Sequence, residues 1–129
     1  MQETEIVNAV VESTGTDTDT ARRGVQSTLE VLGQRLAGGE SKNLAAQLPA
    51  ELKNCLPADA PGERFDLAEF YRRVAKREGG VTEAQARQHA RATMHAVTVA
   101  VTDAEIGHVA GQLPTEYADL LGTEPVQKH

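Results

Sequence analysis

The chain has 129 residues, 40% apolar and 25% charged, the usage of an ordinary globular domain and enough to bury a core without metals or disulfides. Nineteen acidic residues against thirteen basic ones give a net charge of −6, which favours solubility and works against unspecific attraction to nucleic acid or anionic membrane. The few aromatic residues, Phe65, Phe70, Tyr71 and Tyr117, offer no platform for stacking sugars or single-stranded nucleic acid, and the lone Cys55 cannot form an internal disulfide.

The opening stretch is acidic and does not have the form of a secretory signal, and no apolar run approaches the roughly 18 residues of a membrane span. The expected compartment is therefore cytoplasmic, with no membrane partner. Apolar periodicity predicts helices over 2–13, 17–37, 40–47 and 50–56, a linker over 57–65, helices over 66–78, 82–101, 103–111 and 115–121, and a tail over 122–129. Ala21, Val25, Leu29, Leu32 and Leu36 recur at steps of three and four, as do Ala86, Ala90, Met94, Val97 and Val101. Thr82 with Gln85 and Thr102 with Glu105 read as capping boxes, and Asp66 with Glu69 as an acidic cap across which Phe65 can staple to Phe70. Pro49 and Pro114 suit the first position of a short helix, while Gly38-Gly39 and Gly79-Gly80 suit helix ends.

A gapless shift of 65 residues superposes 15–56 on 80–121, with eleven of the 42 pairs identical. Among them are Ala21/Ala86, Arg22/Arg87, Thr28/Thr93, Glu40/Glu105, Gln47/Gln112, Pro49/Pro114 and Glu51/Glu116. The stretch His95 to Val101 is rich in β-branched residues and could form a strand. Its counterpart, Glu30 to Leu36, reads as helix, and the correspondence decides for helix. The expected fold is all-α: a compact bundle of two similar four-helix halves, 1–56 and 66–121, related by a pseudo-twofold within a single domain, 1–129.

The Gln-Leu-Pro-x-Glu corner at 47–51 and again at 112–116, the Ala-Arg helix starts, and the segment Phe70-Tyr71-Arg72-Arg73-Val74 resemble the bacterial domain of unknown function 2267, from about Ile6 to Leu121. Leu48-Pro49 and Leu113-Pro114 match that family's Leu-Pro corners, and Phe70 and Val74 its helix opening the second half. The resemblance implies a small two-fold helical repeat in bacteria and carries over no activity and no catalytic residues.

Several groups could carry chemistry. Glu105-x-x-His108 has the spacing of metal ligands on a helix, but its counterpart Glu40-x-x-Asn43 lacks the histidine that a di-metal site needs. Glu105 also reads as the partner of Thr102 in a cap, so no metal and no cofactor are expected. Cys55 aligns with Leu120 and reads as an inert apolar position. Arg72, Arg73, Lys76 and Arg77 lie before Gly79, where a helix dipole favours cations, and a nucleic-acid surface is not expected. Gln47, Glu51, Gln112 and Glu116 are candidate corners of a groove between the halves. Ala92, Ala96, Val99 and Ala100 form a second small-residue stripe, a candidate interaction surface for an unknown protein or a second copy of the chain. No catalytic residue is assigned, and enzymatic activity is left open with the balance against it. The expected function is that of a bacterial cytosolic helical interaction or regulatory protein. The alternative is a small-ligand-binding or enzymatic domain with a groove between the halves.

Overall fold

Helices form where a local stop or cap meets an apolar stripe. A computed structural model describes residues 2–37, 39–56 and 62–122. α1 (Glu3–Thr14) stops at Gly15, whose φ of 74° is a left-handed conformation that glycine adopts without a Cβ penalty. α2 (Thr18–Arg35), α3 (Glu40–Ala46) and α4 (Ala50–Lys53) follow. α5 (Leu67–Glu78) begins at Asp66, whose carboxylate accepts from Glu69 N–H, and ends at Gly79. α6 (Glu83–Ala100) opens with the complete Thr82–Gln85 capping box. α7 (Asp103–Gly111) is followed by a 3₁₀ turn, Thr115–Tyr117, and by α8 (Ala118–Leu121). Among the described residues there is no strand, and no helix is long and apolar enough to cross a membrane.

The helical reading of 95–101 holds through Ala100. Four boundaries move for local reasons. The helix expected over 50–56 ends at Lys53, because Cys55 and Leu56 close bonds three residues back, to Leu52 and Lys53, and tighten the turn. The helix expected over 115–121 splits into the 3₁₀ turn and α8. Pro49 and Pro114 have extended ψ values of 149° and 158° and sit one position before the helix. Gly39 opens α3 instead of ending a helix. The linker residues 57–61 and the tail residues 123–129 lie outside the described residues, as does Gly38.

α6 is the central element, packed against α1, α2, α5 and α8. Its stripe Ala86, Ala90, Met94 and Val97 is fully buried, and so is the α2 stripe Ala21, Val25, Leu29 and Leu32. Each large side chain buried here contributes about 1.5–3 kcal/mol, before the entropy of ordering it is set against that. Phe70 and Tyr117 meet edge to face at 5.9 Å, and Phe65 lies 6.4 Å from Phe70 in the expected staple position. α3 and α7 are bound to each other at a seam of their own.

Candidate functional site

The seam is built by exchange. Thr102 N–H donates to Gln47 Oε1 at 2.8 Å, and Ala37 N–H donates to Gln112 Oε1 at 2.9 Å, with Gln112 Nε2 returning a bond to Ala37 O at 3.2 Å. Each glutamine thus satisfies orphan backbone at the start of the opposite corner. The two contacts are related by the same 65-residue offset, since Ala37 aligns with Thr102 and Gln47 with Gln112.

This exchange decides what Glu105 does. Thr102 Oγ1 accepts from Glu105 N–H at 3.2 Å, but Gln47 already holds the Thr102 N–H that the Glu105 carboxylate would take in a complete capping box. The expected box is therefore half formed, and the Glu105 side chain is free to turn inward toward its counterpart, Glu40. Glu105 is 4% exposed and Glu40 9%, and the Oε2 atom of each is buried with no hydrogen-bond partner among the described residues. His108 lies at the rim, exposed, with Nδ1 3.9 Å from Glu105 Oε1. Donor atoms of Glu40, Glu105 and His108 all lie within 4.8 Å of one another. Burial, and then the Glu40 carboxyl beside it, push the Glu105 carboxyl up to about 7. No lysine or arginine pairs with either carboxylate among the described residues.

A family model described as "Uncharacterized conserved protein (DUF2267)" matches residues 3–120, which takes in the described helices, short of the last residue of α8, and the whole seam. The chain belongs to that family. No curated protein matches it.

Elsewhere in this DUF2267 chain the expected site residues scatter. Gln47 and Gln112 are occupied by backbone. Glu116 does not cap its own helix, because its Oε2 accepts from Leu67 N–H at 3.2 Å and so caps α5. Glu51 is exposed in the first turn of α4. Beside Gln112 lies a shallow hollow of about 250 Å³ lined by Arg35, Ala37, Gly62 and Arg64. Of the small-residue stripe, Ala92 and Ala96 are buried within the monomer and Ala100 is half-buried. Only Val99 is open, at 65% exposure. Under the 65-residue offset Val99 and Ala100 align with Gln34 and Arg35, and the difference has a structural basis. Arg35 is buried against the Phe65 and Tyr117 rings and donates to Phe65 O, while Gln34 accepts from Arg73. Residues 63–65 and α5 thus cover the end of α2, whereas Val99 at the end of α6 stays open.

The basic group of α5 is largely neutralised. Arg72 and Arg73 pair with Glu69, Arg73 also with Glu63, and Arg77 with Glu30. Arg87 and Arg91 converge on Asp119, which also accepts from the Tyr71 hydroxyl at 2.7 Å. Cys55 is half-buried, and desolvation raises its thiol to about 11, which favours the protonated form. Glu78 and His89 form a buried pair, with Nδ1 2.9 and 3.1 Å from the two carboxylate oxygens. Gly24 makes room for it, since a Cβ there would lie 3.1 Å from His89 Cβ.

Glu40 figures in the sequence as the counterpart of Glu105, with Asn43 where a second histidine would stand, and its spacing does not say that the two carboxylates meet. The signal present is that Glu40/Glu105 is an identical pair under the offset. The cap motif of Thr102–Glu105 and Asn43 in place of a second histidine both point to roles other than a shared site.

Proposed function

We propose that this chain is a non-enzymatic regulatory or interaction module of the bacterial cytosol, whose two halves are related by a pseudo-twofold and meet at a seam that takes a cationic ligand. The observation that carries this reading is the pair of buried, facing carboxylates, Glu40 and Glu105, with an oxygen on each that has no partner among the described residues. Burying carboxylate charge without a counter-charge costs several kcal/mol, so such a site favours whatever brings positive charge. The pseudo-twofold is supported by the offset that carries the Ala37–Gln112 contact onto Thr102–Gln47. A binding role is favoured over catalysis because the recurring polar side chains, Gln47, Gln112 and Glu116, are taken up in holding backbone.

Native mass spectrometry of the protein purified gently from its own host tests this reading. The wild type is expected to carry an extra mass that Glu40→Gln and Glu105→Gln lose. A bare wild-type chain, or a bound mass that both variants retain, would contradict it.

A second reading rests on Val99, the one large apolar side chain that is strongly exposed among the described residues. Self-association through the end of α6 predicts that Val99→Glu lowers the molecular mass in solution while leaving the helical signal intact. Ala96→Glu is no substitute test, because Ala96 is 3% exposed and the charge would disrupt the core. An unchanged mass in folded Val99→Glu would remove the homodimer.

A further inference from the structure

We infer that Glu40, Glu105 and His108 form a site for a single divalent first-row transition-metal ion, for which Zn²⁺ is the reference probe. The inference rests on the reading of the seam as a cation site and adds the identity of the ligand. Three observations carry it. The first is charge: two carboxylates, both more than nine-tenths buried, face each other with their Oε2 atoms unpartnered among the described residues. A divalent ion neutralises both at once, whereas a proton shared between them would cancel only one charge and leave His108 without a part.

The second observation is reach. Zinc binds carboxylate oxygen and imidazole nitrogen at about 2.0–2.2 Å, so ligand atoms sharing one ion lie within about 4.2 Å of one another. Glu105 Oε1 and His108 Nδ1 are already 3.9 Å apart, and the three donors lie within 4.8 Å. The His108 side chain is 68% exposed, so a small swing of the imidazole closes the remaining gap without disturbing the core. The third observation is ligand type. Two carboxylates alone would suit magnesium, calcium or manganese, and an imidazole shifts the preference toward zinc, copper, iron or nickel. Three protein ligands leave at least one position for water or for a group of a partner.

The local structure is suited to holding these groups ready. Glu40 and Glu105 lie in the first turns of α3 and α7, and the exchanged glutamine contacts fix those turns against each other. The ion would tie the two corners together, coupling its binding to the pairing of the halves.

Isothermal titration of the chelator-stripped full chain with Zn²⁺ alone, at fixed pH, tests the site. The expected result is one ion per chain. Glu105→Gln and Glu40→Gln are each expected to weaken it by more than the roughly 10–100-fold that an outer-shell partner costs. His108→Ala, an exposed change that leaves the fold alone, should weaken Zn²⁺ by at least about tenfold and narrow the gap to Mg²⁺. No Zn²⁺ binding, or binding that all three variants retain, would overturn the inference. If Zn²⁺ fails to bind while a host-derived ligand is lost from Glu105→Gln, the metal assignment falls and the cation site stands. If the variants change neither, both fall.

Discussion

Two buried, facing carboxylates set the electrostatics of the α3–α7 seam, and a single amide tests this. In Glu40→Gln the amide becomes a donor to the facing Glu105 carboxylate. With chelator present, we expect the variant to be about 1 kcal/mol more stable than wild type, read from the urea midpoint. A loss of stability would mean that Glu40 is already compensated. Asp119 is the opposite case. Burial alone would raise its carboxyl, but hydrogen bonds from Arg87 and Tyr71 and the charges of Arg87 and Arg91 outweigh burial and hold it below the ordinary 3.8. The native carboxyl is thus the stronger acid, so its contribution is complete above the unfolded value and is lost as pH falls through the native one. Asp119→Asn is expected to cost about 1 kcal/mol at pH 7, with the difference from wild type shrinking on acidification below about pH 4. A difference that grows on acidification would refute that account.

Among the helices, the short ones depend on what is brought to them. α3 and α7 are 7 and 9 residues long, too short to persist alone, and both take a glutamine from the opposite corner at their start. Gln112→Ala removes both bonds to Ala37. It is expected to cost about 1–2 kcal/mol and to raise amide exchange in α3 more than in α5. Equal exchange in the two helices would mean that the clasp does not hold the corner. The long helices were legible because their signals are local: Thr82 with Gln85 starts α6, and Gly79 stops α5. The 95–101 stretch was legible only through its counterpart, as its own β-branched residues favour a strand. Glu105 was misleading because a cap motif specifies one bond locally, while the other depends on whether a distant Gln47 arrives first.

Taken together, the elements wrap α6, and that wrapping explains which apolar residues the sequence could and could not place. The stripes of α2 and α6 identified the core, but nothing in the spacing of Ala92, Ala96 and Val99 says that the helices packed on α6 bury the first two and leave the third open. The Glu78–His89 pair joins α5 to α6 inside this core, with the Glu78 side chain fully buried. Glu78→Ala should cost roughly 2–3 kcal/mol in global stability, and an unchanged urea midpoint would show the pair to be dispensable. The facing of Glu40 and Glu105 is also a property of the assembled molecule, because their approach requires both corners to be in place. It is observed most directly by an anomalous difference map at the zinc edge, from crystals of the full chain grown with Zn²⁺. One peak about 2.0–2.2 Å from carboxylate oxygens of Glu40 and Glu105 and from the His108 imidazole is the predicted result. A map with no peak at the seam, or with zinc only at surface groups elsewhere, would contradict it.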